Sequence, residues 1–290
     1  MPELPEVELH RRHLRGWLCG RVVVRAVVRP AGLLKGSTAG SMTRALRRVR
    51  FLEPTRLGKH LLLPTDGGAA LYVHLGMTGH LSRRRAAEPA PRYAVMSLEL
   101  DDGHVVDLTD PRRFSVVGMF AAGCLPPPMA KLGPDLLDAP PTAAELVQIL
   151  SRTGKAIKVA LMEQERVAGL GNIHAAEALW RARIHPDLPA RALTLPQARA
   201  LLRGIRGTLD LVLQDDDGEA VYYVEVAGNP NPFRLYDREG EPCPRCRGPI
   251  ARDVHGGRST YWCPRCQPLS SPPPAPRSRR SRAPGSRARG

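Results

Sequence analysis

Four cysteines, spaced as Cys243-x2-Cys246, then sixteen residues, then Cys263-x2-Cys266, constrain the fold of this chain more than any other feature. Each pair can present two thiolates from a tight knuckle, and two knuckles complete a closed tetrahedral site suited to zinc. Four protein ligands leave no open position, so one structural ion is expected, holding a two-stranded ribbon too small to fold alone. Two disulfides are the rival reading of the same spacing. Cys19 and Cys124 stand apart and read as small buried hydrophobes. His255 is read as a surface residue rather than a ligand. Arg258 follows two glycines, the composition of a hairpin tip, where a guanidinium could reach a phosphate or simply be solvated.

Upstream of the ribbon, the hydrophobic period changes once. Residues 5–18 predict a helix with Pro5 in its first turn, Val7, Leu14, Trp17 and Leu18 on one stripe, and Gly20 closing it. The runs "RVVVRAVV", "KHLLLP", "ALYVHLG", "YAVMSLEL" and "HVVDL" are short, aliphatic and separated by Gly, Pro and Asp, which predicts a sandwich or barrel through about residue 122. A proline-rich linker over 123–141 follows. Capping-box spacings at Thr142–Glu145 and Thr194–Gln197 then announce helices near 142–151, 155–165, 173–183 and 194–214. The expected fold class is α+β and multidomain: a β-sandwich with an N-terminal helix over 1–122, a helical domain over 142–219, a loop and zinc-ribbon hairpin over 220–267, and a disordered tail over 268–290.

Charge narrows the partner. The chain holds 43 Lys and Arg against 28 Asp and Glu, a formal +15. The tail contributes six arginines and no acid, so the remainder still carries +9, a balance that favours a polyanion such as nucleic acid. No apolar run is long enough to span a bilayer, and the first residues are acidic and proline-bearing where a signal peptide would be basic and then apolar. A cytoplasmic protein with no membrane partner is expected.

Two short stretches carry most of the remaining signal. In "VAGLGNIHAAEAL", Gly169 and Gly171 allow a tight turn and Asn172 can cap a helix starting at Ile173, whose free amides would suit a phosphate; the plainer reading is a turn between helices. At the other end, "PELPEVE" sets Pro2, Glu3 and Glu6 where chains usually fray.

With these pieces in order, residues 2 to about 267 resemble the formamidopyrimidine-DNA glycosylase family, bifunctional base-excision enzymes related to endonuclease VIII. The matching blocks are "PELPEVE", "RLGKHLLL", "HLGMTG", "DPRRF", "VAGLGNIHAAEALWRARIHP", "YDREGEPC" and "GRSTYWCPRCQ". "DPRRF" and "PELPEVE" favour the formamidopyrimidine branch. The resemblance implies a helix–two-turn–helix motif in the helical domain and a monomer acting on double-stranded DNA that contains oxidised bases or abasic sites. It implies that Met1 is removed and that the nitrogen of Pro2 becomes the nucleophile. An α-amino group titrates near ~8, so it is partly unprotonated at neutral pH. As a secondary amine it forms an iminium that stays cationic and drives β,δ-elimination.

By the same resemblance Glu3 would protonate the opening sugar and shuttle protons, Glu6 would order the N-terminus, and Lys59 would pair with a phosphate or the oxidised base. His74, Asn172, Tyr236 and Arg258 would grip phosphates, with Arg113 a phosphate or structural arginine. Met77, Arg112 and Phe114 would fill the void, read the orphaned base and wedge the step after the lesion is extruded; residue type alone would place Met77 and Phe114 in the core. Three departures accompany the likeness: "PRYAVM" stands where a His-rich stretch is usual, Gly154 and Lys155 displace a basic residue, and "DDDGEAVYYVEVAGNPNPFRLYDREG" replaces a glycine-rich lesion loop. The expected activity is excision of oxidised purines followed by strand cleavage. An endonuclease VIII-like preference for oxidised pyrimidines and a non-catalytic zinc-ribbon DNA binder are the rivals.

Overall fold

The computed structural model describes residues 2–30, 32, 37–121, 123–214, 221–224, 226, 228–229 and 231–269. Most of the tail expected to be disordered, Met1, and part of the divergent segment before the ribbon lie outside these residues.

The chain opens with helix α1 (Leu4–Leu18). Two four-stranded antiparallel sheets follow. One has the order β1 (Val23–Val28), β6 (Ala94–Leu100), β7 (His104–Thr109), β5 (His80–Arg85). The other runs β2 (Thr55–Leu57), β3 (His60–Pro64), β4 (Ala69–His74), β8 (Val116–Ala121). A short helix α2 (Ala39–Ala45), capped reciprocally by Thr38 and Ser41, packs against β1 of the first sheet and touches β8 of the second. Side chains from both sheets, including Phe51, Leu61, Leu71, Val106, Leu108 and Val117, share one core with Val7, Leu14 and Leu18 of α1.

The second core is helical. It is built on α3 (Ala143–Ser151), α4 (Ile157–Met162), α5 (Asn172–Ala182) and α6 (Leu195–Leu213). Leu4, at the start of α1, and Leu9, on the far side of the helix from its sandwich-facing stripe, belong to this core. One helix therefore joins both hydrophobic cores, and the N-terminus is fixed between them. The third cluster wraps the cysteines with Trp180, Leu235, Ile250 and Tyr261 around the hairpin β9 (Ala251–His255) and β10 (Arg258–Trp262).

Two polar struts tie the layers together. Arg56 of β2, its side chain wholly buried, donates to Asp135 at 2.6 and 3.0 Å, to Asp138 at 2.6 Å and to Glu8 at 3.3 Å. Asp135 also accepts the Gly58 amide at 2.6 Å, so the β2–β3 turn carrying Lys59 is held by charge-assisted bonds that would be costly to break one at a time. The second strut is Tyr223, whose hydroxyl donates to the Gly79 carbonyl at 2.7 Å and lies 2.8 Å from His10 Nε2. That hydroxyl has one hydrogen, so His10 is the donor to it.

Several sequence expectations need correcting. Cys19 and Cys124 are exposed, not buried. His255 is only 6 % exposed: it pairs with Asp187 at 2.8 Å and with Thr260 at 2.8 Å, fastening the ribbon to the turn after α5. The helix expected over 155–165 is confined to Ile157–Met162. Asn172 is the first residue of α5 and does not cap it.

Candidate active site

The cap of α5 is supplied from the far end of the chain. The Glu3 carboxylate accepts the amides of Gly171 at 2.7 Å, Ile173 at 2.9 Å and His174 at 3.2 Å, placing a negative charge where the helix dipole favours one. The close approach needs a glycine: a Cβ on Gly171 would lie 2.3 Å from the Glu3 Cδ, and one on Gly169, whose φ is +114°, would strike Leu4 at 2.1 Å. Leu4 N bonds the Gly169 carbonyl at 3.1 Å. These amides, expected to be free for phosphate, are thus occupied by the protein's own carboxylate.

Glu6 completes the clamp by accepting the Glu3 backbone N–H at 2.9 Å. Burial alone would raise its pKa, but His174, with Nε2 3.8 Å from Glu6, holds it below the usual carboxylate value. Burial would likewise lower His174, yet Glu6, Glu3 and Glu177 raise it. Pro2, the residue before Glu3, is buried.

Facing the clamp is a set of cations. Lys59 is half-buried at the β2–β3 turn; burial lowers its pKa and Arg258 adds to the effect, while Glu3 and Glu6 oppose it. Lys158, passed over in the sequence reading, is fully buried on the inner face of α4, and burial brings its pKa down to about 8. Its Nζ donates to Asn172 Oδ1 at 2.5 Å and to the Ser259 carbonyl at 3.4 Å, and Asn172 Nδ2 donates to that same carbonyl at 3.0 Å. A lysine among the apolar Ile157, Ala160 and Leu161 was the available signal for it.

These bonds aim the hairpin tip. Gly256 and Gly257 have φ of 58° and 74° in a two-residue turn closed by the His255–Arg258 pair, the conformation that a tight hairpin of this hand requires. Arg258 is exposed there, and its charge is felt by both lysines.

His74 ends β4 beside Lys59. Burial and the lysine charge depress its pKa to about 4, so it is neutral at pH 7. Its Nδ1 accepts the Gly76 amide at 3.2 Å, which puts the proton on Nε2 and makes a neutral donor. Tyr236 is half-buried, its ring 5.5 Å from Tyr261; its amide, with those of Arg234 and Leu235, bonds Glu177 Oε1 at 2.7–3.1 Å.

A second group lies on the neighbouring loops. Met77 is 39 % and Phe114 49 % exposed, contrary to the core placement that residue type alone suggests. The Arg112 guanidinium sits 4.8 Å from the Phe114 ring centre. Asp110 couples the two loops, accepting from Thr78 at 2.5 Å, the Arg112 amide at 3.1 Å and the Ser115 amide at 2.5 Å. Gly76 permits the contact, since a Cβ there would lie 2.4 Å from the Phe114 carbonyl.

The cysteine cluster fits a metal. All four Sγ atoms lie within 4.8 Å of one another. The pairs Cys243–Cys266 and Cys246–Cys263 are 3.9 and 3.4 Å apart, near the roughly 3.8 Å edge of a tetrahedron with ~2.3 Å Zn–S bonds and far from a disulfide.

Comparison with known proteins agrees with this anatomy. Residues 1–117 match the formamidopyrimidine-DNA glycosylase N-terminal domain, 132–222 the formamidopyrimidine-DNA glycosylase H2TH domain, and 240–269 the zinc finger found in FPG and IleRS. A formamidopyrimidine-DNA glycosylase of Heliobacterium modesticaldum is 37% identical over 276 residues, covering 92% of this chain and 100% of the relative. The crystal structure of the MutM (FPG) protein from Thermus thermophilus superposes with a TM-score of 0.77 at 35% identity, covering 92% of this chain and 98% of that one. A mutant Lactococcus lactis FPG in complex with Fapy-dG-containing DNA gives 0.82 at 27% identity, covering 92% and 100%. With the matched zinc finger, the four cysteines hold a structural zinc ion.

Proposed function

The chain belongs to the formamidopyrimidine-DNA glycosylase family, a DNA glycosylase and AP lyase of base excision repair that removes oxidised purines, and from that premise we propose how its own residues divide the work. Removal of Met1 exposes the Pro2 nitrogen, which attacks C1′ of the lesion nucleotide; the C1′–base bond breaks and an iminium forms. Because that nitrogen carries no hydrogen it can lose, the cation persists, draws electrons from the sugar, and the 3′ and then the 5′ phosphates leave by β,δ-elimination. Glu3 serves the proton transfers at the ring oxygen. Glu6 fixes Glu3, and Lys59 meets the lesion or its phosphate.

His74, Asn172, Tyr236 and Arg258 hold the phosphates of the damaged strand, His74 through Nε2–H and Asn172 through its remaining amide hydrogen. Met77, Arg112 and Phe114 occupy the helix position left by the extruded base, and Arg113 meets a phosphate. Residues 1–122 and 142–219 form the two domains between which DNA lies, 123–141 links them, and 220–267 bring the lesion segment and ribbon. One copy holds every group invoked, which supports a monomer, and a cytoplasmic location on chromosomal DNA follows from the substrate. Among the described residues no helix is long and apolar enough to cross a membrane.

The observation that carries the assignment is the Glu3 clamp: it anchors a residue adjoining the nucleophile to the helix facing Lys59, Lys158 and Arg258. The test is borohydride trapping on duplexes carrying 8-oxoguanine, a formamidopyrimidine, thymine glycol or an abasic site. A covalent adduct that Pro2→Gly abolishes while DNA binding persists is expected, with 8-oxoguanine processed faster than thymine glycol. Undiminished cleavage by Pro2→Gly refutes the nucleophile, and the reverse lesion order refutes the substrate.

A further inference from the structure

One buried ionisable side chain at the clamp takes no part in the chemistry assigned to its neighbours. His174 lies in the first turn of α5 and is only 1 % exposed, yet it reaches both carboxylates of the N-terminus. Its backbone N–H donates to Glu3 Oε2 at 3.2 Å, and its ring Nε2 faces Glu6 Oε1 at 3.8 Å. The other oxygen of Glu6 accepts the Glu3 backbone N–H at 2.9 Å. His174 therefore stands at one end of a chain of contacts that runs through Glu6 to the peptide group between Pro2 and Glu3.

The surroundings of the ring favour a charge. A carboxylate can only accept, so Nε2 bears a hydrogen; Thr208 Oγ1, 3.1 Å from Nδ1, can accept from an imidazolium or donate to a neutral ring. Nε2 is sealed from water and makes no hydrogen bond among the described residues. That costs energy for a neutral N–H, whereas for a cation the carboxylate across the gap offsets it. Burial lowers the pKa of the ring, but Glu6 and Glu3 from the N-terminus and Glu177 one turn along α5 outweigh it and raise the value. The other groups packed on the ring are uncharged: Thr208 of α6, and Phe233, edge-on with ring centres 5.2 Å apart. The cations of the site, Lys59 at the β2–β3 turn and Lys158 of α4, act on Glu3.

We propose that His174 is a positioning residue for the reaction at Pro2: it is the counter-cation that keeps Glu6 a carboxylate and so holds the Pro2–Glu3 peptide in place. The proposal rests on the glycosylase reading above. Without this cation, burial would draw a proton onto Glu6, the Glu3 N–H would lose its charged acceptor, and the nucleophile and the adjoining carboxylate would loosen together. Because folding raises the pKa of His174, its contribution is complete below pH 6.5 and is lost as pH rises through the raised value.

The experiment uses the full-length, zinc-loaded protein. Borohydride trapping on an abasic duplex is followed under single-turnover conditions from about pH 5.5 to about pH 9.5 for the wild type and for His174→Gln, whose side-chain amide is neutral throughout. Titration of Pro2, Lys59 and Lys158 enters both rates and divides out of their ratio. Wild type should be faster by roughly tenfold or more below pH 6.5, and the ratio should close toward one above the midpoint at which His174 loses its proton. That midpoint is read independently by nitrogen NMR of the imidazoles in the free wild-type enzyme, the ring being assigned through its contacts with Thr208 and Phe233. It should lie above 6.5 and fall in Glu6→Gln. A rate ratio that is the same at every pH marks a role in packing alone and overturns the proposal. A midpoint at or below 6.5 overturns it as well, and that measurement stands even if His174→Gln does not fold. Failure of the glycosylase reading looks different: the wild type would form no covalent adduct at any pH, whatever the state of the ring.

Discussion

Substituting Gly171 by alanine isolates the contact on which the active site depends. A Cβ at this position would lie 2.3 Å from Cδ and 2.4 Å from Oε1 of Glu3, where ordinary contact begins at 3.4 Å, so the carboxylate must retreat by about 1 Å. Its bonds to Gly171, Ile173 and His174, now 2.7, 2.9 and 3.2 Å, would then stretch beyond hydrogen-bond range. Bonds to a charged acceptor contribute ~1.5–3 kcal/mol each. With some returned by water entering, the net destabilisation should be about 3–5 kcal/mol, comparable to breaking a buried ion pair, and Tm should fall by roughly 10 °C. A shift of that size beside the nucleophile should slow adduct formation about 100-fold. The assay is the rate of borohydride trapping on an abasic duplex, with thermal unfolding in parallel. Gly16→Ala is the control: nothing lies within 4 Å of a Cβ there, and in a helix interior the change should be neutral or stabilising by up to ~1 kcal/mol. If Gly171→Ala traps DNA within about threefold of wild type and melts with the Gly16 variant, the clamp does not organise the site.

Tyr223→Phe removes one hydroxyl and strands the His10 N–H and the Gly79 carbonyl. It should cost about 1–3 kcal/mol and, because Gly79 ends the loop carrying Met77, slow base excision more than cleavage of a preformed abasic site; equal slowing of both rates would show that Tyr223 serves stability alone. Acidification should destabilise the fold through His60 and His74, whose pKa values burial pushes to about 3 and about 4. From pH ~6.5 down to ~4 the unfolded imidazoles bind protons and the folded ones do not, so stability falls by roughly 3 kcal/mol for each histidine at most. His60→Gln and His74→Gln should flatten that slope in denaturant titrations. Chelating the zinc should melt the ribbon, release the Ser259 carbonyl from Asn172 and Lys158, and weaken DNA binding at least tenfold; equal affinity of the metal-free protein would separate the ribbon from DNA binding.

The legible parts of the sequence are those whose physics is local. Two cysteine knuckles, the reciprocal caps at Thr142 and Thr194, and the aliphatic runs of β1, β3, β4, β6 and β7 announce themselves within a few residues. β5, "HLSRRR", was hidden because its arginines contradict a strand's usual composition; Arg84 lies there because Asp107 across the sheet accepts it at 2.8 Å. α4 starts late, at Ile157, because Ala156, Ile157 and Lys158 are pinned to the chain over Pro186–Pro189. In the site, residue types pointed to Pro2, Glu3 and Lys59 only through resemblance. The partner of Glu3 lies more than 160 residues away, and nothing near Lys158 in sequence shows that its Nζ reaches Asn172.

The bridging role of α1 also has a temporal meaning. A ribosome delivers Pro2 and Glu3 first, yet the amides that hold Glu3 belong to residues 171, 173 and 174. At ~5–20 residues per second, on the order of 10–30 s of translation separate the attacking amine from the helix that aims it. On the mechanism proposed above, during that interval, and in any chain that terminates early, the Pro2 terminus exists without the geometry to react. The proposed mechanism therefore withholds strand cleavage until nearly two-thirds of the polypeptide has been made, because the amides that seat Glu3 do not exist before then.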